Sequence, residues 1–208
     1  MKNLIVRTLG YACLTLLLLI LCYHYIDRSL VLYIHGHVDD NSILFCIATV
    51  ISRIFDPDNW TVVLIIALVI SLINFLRSHH RCSKIYTLSI SLLIASIVTT
   101  IFKIGLARYR PELYLQHDLY GFHLLSTRRI FNSFPSGHVA LSFAGLLAIA
   151  TFFNKKWLTL LFIVMCLIIA ACRIIVTQHY LSDTIGAAYI GIFSYLWAKA
   201  IVDSRVIR

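Results

Sequence analysis

Apolar residues run along the chain in six blocks, at roughly 8–24, 60–76, 85–107, 138–153, 157–175 and 182–201. A helix crosses the hydrocarbon core of a bilayer with about 20 such residues. Each block therefore predicts a spanning helix, the shorter ones meeting the interface at their ends. Residues 41–55 differ: they are amphipathic and contain Arg53. They predict an interfacial or packed helix rather than a seventh span. The expected fold is all-α, a single domain over 1–208. It is an integral membrane bundle of six transmembrane helices plus an outward-facing interfacial helical segment. No repeat, linker or low-complexity stretch interrupts it.

Composition agrees. Of the 208 residues, 60% are hydrophobic and 13% charged, and the mean hydropathy is +0.88. The charged share is about half that of a soluble domain. A net charge of +9 raises the question of nucleic acid, but the basic residues sit at the ends of apolar runs, where a bilayer protein places them. No nucleic-acid partner is expected. The N-terminus, the loop Arg77 to Lys84, the pair Lys155 and Lys156 and the C-terminus alternate to one side. That side carries 10 basic residues and one acid, the other 8 of each. The positive-inside rule sets both termini in the cytoplasm and turns segments 25–59, 103–138 and 173–183 outward.

Lys2 and Arg7 precede the first apolar run, but no small-x-small cleavage pattern follows, so an uncleaved first span is expected. The six cysteines form no disulfide framework. Cys13, Cys22, Cys166 and Cys172 fall in or beside apolar runs as packing residues, Cys82 lies in a basic loop, and Cys46 looks outward. His79 and His80 read as surface residues of the loop opposite the candidate site. No metal-ligand spacing stands out.

Three polar clusters occur where apolar runs end on the outer side. The first is Lys103 to Arg110-Pro111. Lys103 and Arg110 are about two helical turns apart, so they are expected near one face, with Pro111 stopping the helix. The second is Pro135-Ser136-Gly137-His138, just before a span. The third is Arg173, with His179 and Asp183 after it. Lys103, Arg110 and Arg173 are three cations at a membrane surface, expensive unless an anion meets them. A tetrahedral phosphate would pair with all three, the arginines binding two oxygens at once. Ser136 and Gly137 open a helix whose first amides point outward, a ready anion site. Ser136 is also a candidate N-cap. His179 and Asp183 are four apart, so the carboxylate would fix the imidazole's tautomer and leave the other nitrogen to attack. His138 is suited to protonate a leaving oxygen. Taken singly, each cluster has a plain reading: an anchor, a turn or a satisfied polar pair. All three in order on one membrane side favour a common site.

These residues resemble the type 2 phosphatidic acid phosphatase superfamily, which shows Lys-x6-Arg-Pro, Pro-Ser-Gly-His and Ser-Arg-x5-His-x3-Asp. The matches cover 103–111, 135–138 and 173–183, in order and with the same spacings. The resemblance implies a helical bundle and metal-free, cofactor-free phosphate removal. In it, His179 forms a phosphohistidine that Asp183 orients, and His138 acts as acid and then base. Lys103, Arg110, Ser136, the Gly137 amide and Arg173 hold the phosphate oxygens. Cys172 stands where the family has serine, which puts one phosphate contact in doubt.

The 112–134 segment is long for a loop. It mixes His117, Asp118, His123, Arg128 and Arg129 with aromatic residues. It is expected to cap the site, with Arg128, Arg129 and His123 as headgroup contacts for a second phosphate; interfacial anchoring is the alternative. The expected partners are a membrane lipid phosphate and the bilayer, and the expected place is a bacterial inner membrane with the site periplasmic. Undecaprenyl diphosphate and lipid A-type phosphates rank first as substrates, ahead of phosphatidylglycerophosphate and phosphatidic acid. Lipid-to-lipid phosphotransfer, a vanadate haloperoxidase and a non-catalytic lipid transporter are the other readings. The oligomeric state is not legible.

Overall fold

The computed structural model describes residues 1–77 and 83–206. His79, His80 and Cys82 lie outside that range. The described chain is helical. It comprises α1 (Lys2–Leu21), α2 (Asp27–His37), α3 (Ile43–Ile54), α4 (Pro57–Leu76), α5 (Ser83–Leu106), α6 (Pro111–His117), α7 (Gly137–Phe153), α8 (Lys156–Ile175) and α9 (Leu181–Val206). Five stretches are long and apolar enough to cross a membrane, and α7 is a shorter apolar helix. The six apolar blocks thus each fall within a helix of an integral membrane bundle.

The first block extends further than its apolar run. One π turn at Cys22–Ile26 joins α1 to α2, so a single helix continues from Lys2 to His37. At 1.5 Å per residue that is about 54 Å, well beyond a ~30 Å hydrocarbon core. Asp27 lies within this continuous helix, fully buried and bonded to Arg108 and Ser182 of other segments. A π turn inserts one residue and re-aims the side chains that follow it. The amphipathic 41–55 segment is indeed a separate helix, α3. Ser42 caps its start by accepting from the Phe45 amide, and Asp56 and Pro57 break it from α4. Ile43, Ile47, Val50 and Ile54 form its exposed apolar stripe, while Ala48 and Ser52 face inward.

α7 is buried on nearly every side, as an all-round hydrophobic helix must be. It packs against α5, α8 and α9. Its 17 residues span only about 25 Å, but its flanks meet protein rather than lipid. Small residues permit this closeness. A Cβ on Gly191 of α9 would overlap the Ala140 carbonyl oxygen and the Phe143 side chain of α7. Gly191→Ala should therefore force the two helices apart and cost about 1–3 kcal/mol. A thermal melt of the purified protein in detergent checks this; an unchanged melting temperature would show that the interface yields.

α1 packs chiefly along α9. Cys13, expected to pack, is consequently exposed on α1, as is Cys46 on α3. Cys22, Cys166 and Cys172 are buried, and all five are free thiols.

Candidate active site

The three clusters come together at one end of the bundle, where α5 and α8 finish and α7 and α9 begin. Their local geometry departs from the simplest expectation. α5 ends at Leu106, and Ala107 turns left-handed with φ 44°. Arg110 is therefore off that helix, and Pro111 opens α6 instead of stopping α5; its fixed φ and missing N–H suit the first helical position. The loop beyond α6 runs back along the end of α5. The amides of His123, Leu124, Leu125 and Ser126 donate to the carbonyls of Ala107, Leu106, Gly105 and Ile104. It thereby satisfies the carbonyls that a helix end leaves open. Arg110 is buried and fixed from two sides. Its Nε donates to the Arg129 carbonyl at 2.9 Å and its Nη1 to Gln178 Oε1 at 2.8 Å. Burial, and then the nearby Arg129, push its guanidinium below its ordinary value.

Lys103, Arg110 and Arg173 lie within electrostatic reach of one another. Lys103 Nζ approaches the start of α7, 3.4 Å from where a Gly137 Cβ would stand, so glycine keeps this cradle open. Ser136 occupies the N-cap position but makes no capping bond. Its Oγ is buried without a partner, as is Arg173 Nε. Buried polar groups are nearly always hydrogen-bonded, so two orphans beside three cations mark a place for an oxyanion. Cys172, at the family's serine position, packs with Ala48 and Val176 in an apolar cluster, a setting suited to a thiol.

His179 is 1% exposed and lies in the turn before α9, not on the helix itself. Its Nδ1 stands 2.8 Å from the Ser133 carbonyl oxygen and 3.6 Å from Asp183 Oδ2. Asp183 was expected to fix the tautomer; the Ser133 carbonyl, which only accepts, takes the Nδ1 proton at the shorter distance, with Asp183 beside it. Nε2 remains free of hydrogen bonds to the described residues. Burial pushes the imidazole well below its ordinary value, outweighing the favourable carboxylate nearby. His179 is held neutral. His138, near the start of α7, has Nε2 3.3 Å from Asp56 Oδ2 at the α3–α4 junction.

Asp183 is bound chiefly by a residue that sequence reasoning passed over. Arg108 Nη1 donates to Asp183 Oδ1 at 2.6 Å and Nη2 to Asp27 Oδ2 at 2.8 Å. Ser133 Oγ and the Tyr180 amide complete the shell of Asp183 at 2.6 and 2.9 Å. Ser182 ties in Asp27, donating from its amide at 3.0 Å and from its hydroxyl in a very short bond. Tyr23, Tyr120, Phe122 and Tyr180 surround the Arg108 guanidinium, their ring centres 4.3–5.8 Å away. Burial alone would lower its pKa, but Asp183 and Asp27 hold it above its ordinary value. The cluster carries two carboxylates and one guanidinium, a net negative charge directly behind His179. Arg108 sits inside the first motif between its two marked cations. Asp27 is a carboxylate at a span end, and such a group needs a buried cation. That need was the available signal, though adjacent Arg28 obscured it.

Arg129 lines a cavity of about 350 Å³ that opens on His138 and Arg173, but Arg128 and His123 do not. His123 instead stacks on Phe131 at 4.4 Å, holding the loop together. Of the three expected headgroup residues, Arg129 is the one on this cavity wall.

The chain is similar to known proteins. A lipid A 1-phosphatase from Rhizobium etli is 31% identical over 116 residues, which is 55% of this chain and 48% of that protein. The chain thus spans about half the length of this curated relative. The crystal structure of a transmembrane PAP2-type phosphatidylglycerolphosphate phosphatase from Bacillus subtilis superposes with a TM-score of 0.64. It covers 96% of both chains at 15% identity, a likeness of fold. The sequence profile of the PAP2 superfamily matches residues 84–207, more than half the chain and all three motifs. The chain belongs to the PAP2 superfamily.

Proposed function

We propose that the protein hydrolyses a phosphate ester or anhydride on a membrane lipid, without a metal, through a phosphohistidine on His179. The observation that carries this reading is the pair of orphaned buried polar atoms, Ser136 Oγ and Arg173 Nε, set among Lys103, Arg110 and the Gly137 amide beside a neutral imidazole. The three cations are positioned to neutralise phosphate charge.

The geometry supports the following chemistry. Nε2 of His179 attacks phosphorus, and the bond to the leaving oxygen breaks. His138 gives that oxygen a proton. Lys103, Arg110, Arg173, Ser136 and the Gly137 amide hold the other phosphate oxygens as charge builds. The net negative Arg108–Asp27–Asp183 cluster stabilises the cationic ring of the intermediate. Water then attacks phosphorus with His138 accepting its proton, the P–Nε2 bond breaks with its electron pair returning to the His179 ring, and inorganic phosphate leaves. The positive-inside asymmetry supports a periplasmic site with cytoplasmic termini in a bacterial inner membrane. Lipid diphosphates and lipid A-type phosphates are the substrates favoured.

The test is phosphate release in detergent micelles with EDTA present, lipid by lipid. Activity that survives EDTA and is blocked by vanadate is expected. Activity restored only by added divalent metal would overturn the mechanism.

A further inference from the structure

α3 carries two stripes. Its outer stripe is apolar and exposed, whereas Phe45, Thr49, Ser52 and Arg53 share the opposite face and line the same cavity as His138, Arg173 and Arg129. Ser52 is 4% exposed, and its Oγ is buried without a partner, a third orphan alongside Ser136 Oγ and Arg173 Nε. The end of α3 is fixed, because Asn59 Nδ2 donates to the carbonyls of Arg53 and Ile54 at 2.9 and 3.0 Å. Arg129 is fixed through its carbonyl, which accepts from Arg110. Three guanidinium groups line this space against the one carboxylate of Asp56, which already stands against His138. The wall is therefore net cationic on the His138 side, where a leaving group departs.

We propose that Ser52 and Arg53 of α3, with Arg129, form a second anion subsite that holds the leaving half of a lipid diphosphate. This rests on the phosphatase reading above and assigns the headgroup chemistry of that same site. His179 Nε2 bonds to the terminal phosphorus, and the bond from that phosphorus to the bridging oxygen breaks. The lipid monophosphate leaves with the electron pair on the bridging oxygen, which takes the proton from His138. The departing group is itself an anion, so cations placed to receive it stabilise the transition state more than they would for an alcohol.

The experiment compares farnesyl diphosphate with farnesyl phosphate in detergent micelles. Arg53→Ala should lower the ratio of their kcat/KM values about tenfold, as loss of one charge-assisted contact would, and Arg53→Lys should recover part of it. Equal loss on both substrates, or an unchanged ratio, would overturn the subsite. A second arm needs no turnover. Inorganic pyrophosphate should raise the melting temperature of the wild type more than inorganic phosphate at equal concentration, and Arg53→Ala should erase that difference. No such difference in the wild type would refute the subsite. Failure of the wild type to release phosphate from either lipid would instead refute the hydrolase reading while this binding arm still decides the subsite.

Discussion

His179→Ala is expected to cut phosphate release by about 10⁴-fold or more, the scale on which loss of a nucleophile usually shows. The ring is buried, its Nδ1 proton is held by Ser133 O, and Nε2 has no bond to the described residues. It is presented as a base with a free lone pair. The variant also loses the Ser133 and Asp183 contacts of a buried ring, so some fall in melting temperature is expected, and a single elution peak in detergent checks that it still folds. A variant that folds yet turns over normally would remove His179 from the reaction. The same geometry fixes a sign for pH. A histidine held below its ordinary value stays unprotonated further into acid, so the nucleophile is not lost as pH falls through about 6.5. An acid limb in kcat/KM that reports His179 should lie below that value. A His179-dependent limb at 6.5 would mean that the ring is hydrated.

Arg108→Ala is expected to be the most destabilising single change at the site end of the bundle, by about 3–5 kcal/mol. It would leave Asp27 and Asp183, both fully buried, without a counter-charge. Loss of a monodisperse peak and a fall in melting temperature in detergent are the readouts. Arg108→Ala combined with Asp27→Asn should recover part of the loss, since one uncompensated charge is removed. If Arg108→Ala melts like the wild type, the network holds nothing in place.

Much of this was legible beforehand, for identifiable reasons. Spans are written in uninterrupted apolar runs, so α4, α5, α7, α8 and α9 fell close to their expected places. Lys103, Arg110, Ser136, His138, Arg173 and His179 converge because each stands at a helix end, where period and membrane side can be read. What escaped was set by contacts between distant segments. Nothing local indicates that the helix continues through the π turn at Cys22–Ile26, nor that Asp27 beyond it meets Arg108, 81 positions later. The partner of His179 Nδ1 is a main-chain oxygen, which carries no sequence signal at all. His123 stacks on Phe131, a contact that sequence spacing does not signal.

The family profile begins at residue 84, yet Asp27 lies far before it. During synthesis this carboxylate emerges first and has to wait for its guanidinium and then for Ser182. The site end of the bundle thus lacks part of its hydrogen bonding until α9 has been made, and α1 then has α9 to pack along.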